Sequence, residues 1–297
     1  MEKVETEMKK IILKNGEEIA YREREGGTEP VILVHGNMTS SKHWDVLMEV
    51  LDPRYKIYAI DMRGFGYSTY NNRISSIKDF SDDLKEFVDE LGLYNFTLIG
   101  WSTGGCVSMQ FEIDHPGLCK QIVLLASGST GGYPMYETKA DGTPNCEKRL
   151  QTIEEVKRDP KTIGVQHCYD TKDYEGLKAI WNAAIYTDRR PDEKKYNEYV
   201  EDMMTQRNLA DVYHALNIFN ISDKHNGLTE GTNEAKQIQI PVLVLYGDRD
   251  YVVTEEMTQE ILEDLAHVAQ FQRLKNCGHS PLIDDIEQLK EHIENFI

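Results

Sequence analysis

Between Phe96 and Gly105 the chain reads Phe-Thr-Leu-Ile-Gly-Trp-Ser-Thr-Gly-Gly, an apolar, β-prone run that stops abruptly on small residues around Ser102. The amphipathic pattern of Ser102 to His115, closed by Pro116, follows without a linker. A strand can pass so directly into a helix only through a sharp, strained turn. Gly100 and Gly104 leave room for that turn, because neither carries a Cβ. The result spells Gly-x-Ser-x-Gly, the pattern of a nucleophile elbow, whose serine Oγ stands clear of its own backbone. The helix behind it aims free N–H groups and a positive dipole end at the place where negative charge would develop.

An ordinary βα turn with a serine by accident would spell the same five residues. The test is whether partners follow in the order Ser, then Asp or Glu, then His. Pro241-Val-Leu-Val-Leu-Tyr246 reads as a short buried strand and runs into Gly247-Asp-Arg-Asp250. Downstream, Phe271 to Cys277 alternates like a strand and meets Gly278-His279-Ser280-Pro281. The pattern predicts Ser102 as nucleophile, His279 as its base and Asp250 as the acid that fixes the imidazole tautomer. Asp248 contends with Asp250, but it follows the glycine directly, where an acid usually caps the turn. The other histidines lie in polar or helical contexts, and His35 is expected to shape its loop.

A third component lies upstream. Val31-Ile-Leu-Val34 reads as a buried strand that empties into His35-Gly36-Asn37-Met38-Thr39-Ser40. A backbone N–H from this loop, Asn37 first and Met38 second, would join that of Thr103 to form an oxyanion hole. The same loop also caps the helical pattern of Lys42 to Leu51, and the two uses involve different groups. Met38 and Trp101 are the residues expected to border the substrate pocket.

Taken together, His35-Gly36, Asp61-Met-Arg-Gly-Phe-Gly-Tyr-Ser68, Gly100-Trp-Ser-Thr-Gly-Gly105, Gly247-Asp-Arg-Asp250 and Gly278-His-Ser-Pro281 resemble the α/β-hydrolase superfamily. The haloperoxidase-like, perhydrolase and carboxylesterase branches are the most similar. The resemblance runs from about Ile11 to the C-terminus. It implies that the Asp61 to Ser68 loop is structural, and Ser102 sets the chain apart from haloalkane dehalogenases and epoxide hydrolases, which carry an aspartate at the elbow.

Strand and helix patterns alternate to about Ser127 and resume at Pro241, which predicts an α/β fold with one mostly parallel sheet flanked by helices. Lys10 to Lys14 and Glu18 to Arg24 read as a hairpin through Asn15-Gly16, and Lys56 to Ile60 as a further strand. Helices fit Ser76 to Leu91, with a Ser76/Asp79 capping box, Glu255 to Ala266, and Ile283 to Phe296. The expected core is 1–128 with 237–297, interrupted by 129–236, where the resemblance implies a helical cap. Inside the cap, Tyr174 to Thr187 and Asp192 to Asn220 read as helices rich in aromatic residues. A cap that gates entry suits a small or medium substrate.

The net charge of −18 opposes a role on nucleic acid or an anionic membrane. No stretch is apolar for long enough to span a bilayer. The charged start, Met1 to Glu7, lacks the apolar region of a signal peptide and reads as disordered. Five cysteines without metal-ligand spacing fit reduced thiols in a cytoplasmic protein. No metal or organic cofactor is expected. The leading expectation is an esterase acting on a small-molecule ester through an acyl-enzyme. Lactonase, carbon–carbon hydrolase, perhydrolase or acyltransferase chemistry with the same triad, or a ligand-sensing role, are the alternatives.

Overall fold

The computed structural model describes residues 6–297. Its main sheet holds eight strands: β1 (Thr6–Ile12), β2 (Glu18–Arg24), β3 (Glu29–Val34), β4 (Tyr55–Ile60), β5 (Phe96–Trp101), β6 (Cys119–Leu125), β9 (Val242–Gly247) and β10 (Ala269–Leu274). Their spatial order is β1-β2-β4-β3-β5-β6-β9-β10. β1 pairs antiparallel with β2, and β2 antiparallel with β4; every other pairing is parallel. Parallel strands covered by helices on both faces need apolar side chains throughout, and β5 and β9 are buried along their whole lengths. The edge strand β10 is mostly exposed, which its alternation of Gln and Arg with apolar residues accommodates.

Register decides where the loops converge. Val34 pairs with Gly100, Trp101 with Leu125, Leu125 with Leu245, and Gly247 with Leu274. The carboxyl ends of five strands are therefore level, so the loops that leave them meet at one edge of the sheet. On the flanks lie α1 (Asp45–Val50), α2 (Ile77–Glu90), α3 (Thr103–Asp114), α9 (Glu255–Asp264), α10 (Pro281–Asp284) and α11 (Ile286–Phe296). α2 buries Ile77, Phe80, Leu84, Phe87 and Val88, the stripe of a helix lying on a sheet. At its start, Asp79 Oδ2 accepts the Ser76 N–H at 3.0 Å, as the capping box predicts.

The segment between β6 and β9 forms the hairpin β7 (Tyr136–Thr138) and β8 (Pro144–Arg149), then α4 (Ile153–Arg158), α5 (Pro160–Thr171), α6 (Tyr174–Ala184), α7 (Glu193–Met203) and α8 (Leu209–Ile218). Several local expectations are corrected. The continuous helix over 192–220 is two helices broken at Gln206-Arg207-Asn208, and the hairpin, α4 and α5 have no counterpart in the sequence reading. The helix expected over 283–296 is interrupted at Asp285, whose Oδ1 instead caps α11 by accepting the Gln288 N–H at 3.0 Å. The first strand runs Thr6–Ile12 rather than from Lys10, so Thr6 and Glu7 are ordered in the sheet. The expectation of a disordered start otherwise falls on residues 1–5, outside the described residues. Among those described, no helix is long and apolar enough to cross a membrane.

Candidate active site

Ser102 sits between the end of β5 and the start of α3, with φ 55° and ψ −115°. This is a conformation that L-residues rarely adopt, held here by three backbone bonds. The Ser102 N–H donates to Leu125 O at 2.9 Å, and its carbonyl accepts the N–H groups of Gly105 at 2.9 Å and Gly128 at 3.2 Å. Gly104 lets α3 approach β3 closely, since a Cβ there would lie 2.8 Å from His35 O. Gly36 faces the elbow from the loop after β3, where a Cβ would lie only 3.1 Å from that of Ser102.

Asp250 and His279 come from the loops after β9 and β10. His279 Nδ1 donates to Asp250 Oδ2 at 2.9 Å, which leaves Nε2 as the proton acceptor of the ring. Asp250 Oδ1 accepts the N–H groups of Val252 at 2.8 Å and Val253 at 2.9 Å, so both oxygens are held as acceptors. Both side chains are buried, whereas Asp248 is exposed. The two loops are stitched together by the Asp248 N–H on Leu274 O at 3.1 Å and the Arg249 N–H on Cys277 O at 2.9 Å. Asp284 Oδ2 accepts the Gly278 N–H at 2.7 Å and anchors the histidine loop from below. Neighbouring Cys277 is buried, and burial pushes its thiol up to about 12, so it packs as a small apolar group.

The loop after β3 is ordered by His35, which burial pushes down to about 4 and thus keeps neutral. Its Nδ1 donates to Gly36 O at 2.7 Å, and its Nε2 accepts the Met62 N–H at 3.0 Å. The loop continues through Met38 at φ 60°. Among the described residues, the N–H groups of Asn37 and Thr103 donate to no protein acceptor. The Asn37 side chain is fixed instead: its Oδ1 accepts from Gln206 Nε2 at 2.7 Å. The Asp61 to Ser68 loop has the structural contacts expected of it. Asp61 accepts the N–H groups of Ser41 and Tyr67, and Arg63 forms a buried two-pronged pair with Asp83 at 2.7 and 2.6 Å.

These pieces border one cavity of about 510 Å³. Ser102, Thr103, Asn37, Met38, Trp101 and His279 all line it, and Asp250 stands behind His279. The inserted segment closes it with Tyr133, Lys161, Trp181, Ile185, Tyr213 and Leu216. Trp181, Ile185, Tyr213 and Leu216 come from the two segments that the sequence marks as aromatic-rich helices, where periodicity does not separate wall from core. Lys161 and Gln206 were missed. The Asp159-Pro160 pair is an N-cap signal that could have revealed α5, and Asp159 does cap it through the Lys161 N–H at 3.1 Å.

A family model described as alpha/beta hydrolase fold matches residues 29–286. The chain belongs to the alpha/beta hydrolase fold family. Among curated relatives, this alpha/beta hydrolase is 24% identical to a cis-3-alkyl-4-alkyloxetan-2-one decarboxylase of Shewanella oneidensis, over 97% of this chain and 87% of that protein. It is 22% identical to a 2-hydroxy-6-oxononadienedioate/2-hydroxy-6-oxononatrienedioate hydrolase of Paraburkholderia phymatum, over 96% and 93% of the two chains. A solved esterase of Exiguobacterium antarcticum superposes with a TM-score of 0.74 at 19% identity, covering 97% of this chain and 98% of the other. At that identity the likeness speaks for the fold alone.

Proposed function

We propose that this alpha/beta hydrolase cleaves a small or medium carboxylic ester with Ser102, His279 and Asp250 as its triad. The observation that carries the reading is the 2.9 Å bond from His279 to Asp250 beside a cavity that Ser102 and His279 both line. Ser102 Oγ attacks the ester carbonyl carbon while His279 Nε2 takes its proton. The carbonyl oxygen becomes an oxyanion and receives the two free N–H groups of Asn37 and Thr103, at the positively polarised start of α3. As the intermediate collapses, the ester C–O bond breaks and the imidazolium returns the proton to the departing alkoxide. A water then attacks the acyl-enzyme with His279 again as base, releasing the acid and restoring Ser102. Asp250 orients the ring and stabilises its cation throughout. The segment 129–236 acts as the cap, with its aromatic side chains excluding bulk water.

The test is covalent labelling with a fluorophosphonate, read by mass spectrometry, beside an ester panel of graded acyl length. Labelling is expected at Ser102 alone, with labelling and turnover both lost in Ser102→Ala. Full turnover in that variant would overturn the mechanism. The names of the dienedioate hydrolases support a second reading, in which the same serine chemistry cleaves a carbon–carbon bond next to a ketone. A vinylogous diketone cleaved faster than every ester in the panel would favour it.

A further inference from the structure

We propose that Lys161 anchors a carboxylate of the substrate, so that the ester taken by this site bears an acidic group. The inference rests on the ester-hydrolase reading. Lys161 lies in the first turn of α5 and contributes to the wall of the cavity that holds Ser102 and His279. It is the one lysine or arginine of that wall, which contains no aspartate or glutamate among the described residues. Its side chain is open to solvent, while the surrounding wall is largely aromatic and aliphatic.

The ammonium group has no ion pair and no hydrogen bond among the described residues, and lies over the Tyr213 ring at 5.6 Å from its centroid. The chain has 51 acidic residues and a net charge of −18, yet among the described residues none of its acids lines this cavity. Lysines of the inserted segment on the outer surface are paired in some places, as Lys157 with Glu154 at 2.9 Å and Lys195 with Asp45 at 3.0 Å, and unpaired among the described residues in others, as Lys139, Lys172 and Lys194; what sets Lys161 apart is its place in the cavity wall. Asp159, two residues away, is already committed, accepting the Thr138 N–H at 2.8 Å, the Thr138 hydroxyl at 2.7 Å and the Lys161 N–H. It therefore supplies distant compensation without a contact.

The ammonium is exposed and has no protein anion beside it, so an anion delivered by the substrate supplies the missing partner. The chemistry that does so is a carboxylate accepting N–H donors from the ammonium, with Tyr213 backing the cation. A neutral ester gains nothing at this point of the wall. Lys161 thus sorts substrates by charge at a place separate from the elbow.

The carboxylate can sit on the acyl or the alcohol side, and two matched pairs distinguish them. Mono-para-nitrophenyl glutarate is compared with para-nitrophenyl pentanoate, and para-acetoxybenzoate with its methyl ester. In one pair, Lys161→Gln is expected to lower the charged-to-neutral ratio of kcat/KM about 10- to 100-fold. Lys161→Arg is expected to restore most of the ratio. The neutral ester reports folding, so a collapsed variant cannot imitate the result. Calorimetric binding of glutarate to Ser102→Ala, with and without Lys161→Gln, needs no turnover and is expected to weaken about tenfold. Unchanged ratios in both pairs, or unchanged glutarate binding, overturn the proposal. Absence of turnover on all four esters counts against the ester-hydrolase reading instead, and the binding arm still decides the role of Lys161.

Discussion

Trp101 Nε1 donates a hydrogen bond to the backbone carbonyl of His279 at 2.8 Å. The residue beside the elbow serine therefore holds the segment carrying its proposed base, across a separation of 178 residues. The sequence reading assigned Trp101 to the pocket by its bulk. It does line the cavity, but it is 2% exposed and its polar atom faces the histidine segment. Trp101→Phe keeps most of the ring and deletes the donor, leaving the His279 carbonyl unpaired. We expect kcat, and the rate at which a fluorophosphonate labels Ser102, to fall together by about 3- to 30-fold. Equal labelling rates in the two proteins would mean that the bond does not position His279.

Strain at the elbow predicts a trade of stability for activity. Ser102 holds φ 55° and ψ −115°, which glycine adopts freely and alanine does not. Ser102→Gly and Ser102→Ala both remove the proposed nucleophile, so activity does not separate them. In urea unfolding, the glycine variant is expected to be more stable than the alanine variant by about 1 kcal/mol, after its greater unfolded-state entropy is deducted. An alanine variant at least as stable would show that the turn is not strained.

The elbow and its partners were legible because their signals are local. A β-prone run, small residues and a helical pattern specify the turn, and the order of the proposed triad follows from strand ends that the register brings level. The inserted segment was less legible. α4 and the β7/β8 hairpin are short, and the 12-residue α5 exposes Ile163 while burying Thr162, so these elements carry little hydrophobic periodicity. The break between α7 and α8 contains no glycine or proline. It exists because Asn208 Nδ2 donates to Arg63 O at 2.8 Å while Gln206 reaches Asn37, contacts made between residues far apart in sequence. Likewise, nothing near Asp284 in sequence announces that it will accept the Gly278 N–H.

A buried acid sets a pH dependence of stability. Glu112 on α3 is 3% exposed, its Oε2 has no partner, and burial pushes its carboxyl up to about 7. The unfolded chain releases this proton near 4.5, so between 4.5 and 7 the folded state binds more protons than the unfolded one. Stability from this group is therefore present at low pH and is lost as pH rises through 7. Glu112→Gln keeps the size and removes the titration. We expect it to match the wild type near pH 4.5 and exceed it at pH 8 by about 1–3 kcal/mol in chemical unfolding. Parallel pH profiles for the two proteins would rule this out.

The inserted segment also reaches the proposed oxyanion hole through a chain of side chains. Tyr169 on α5 donates its hydroxyl to Gln206 Oε1 at 3.1 Å, and Gln206 Nε2 donates to Asn37 Oδ1 at 2.7 Å and to Asn208 Oδ1 at 3.0 Å. Gln206 is 4% exposed, so each of these groups relies on it rather than on water. Asn37 is thereby fixed by its side chain, leaving its backbone N–H free for a substrate oxygen. Gln206→Leu removes the donor at similar volume and lets the loop shift, which weakens a contact that matters most when the oxyanion forms. The expected result is a fall in kcat of about tenfold with KM changed far less, because ground-state binding uses the rest of the wall. Tyr169→Phe, one bond further away, is expected to show a smaller loss of the same kind. A rise in KM at constant kcat would instead assign Gln206 to substrate binding rather than to the geometry of the proposed hole.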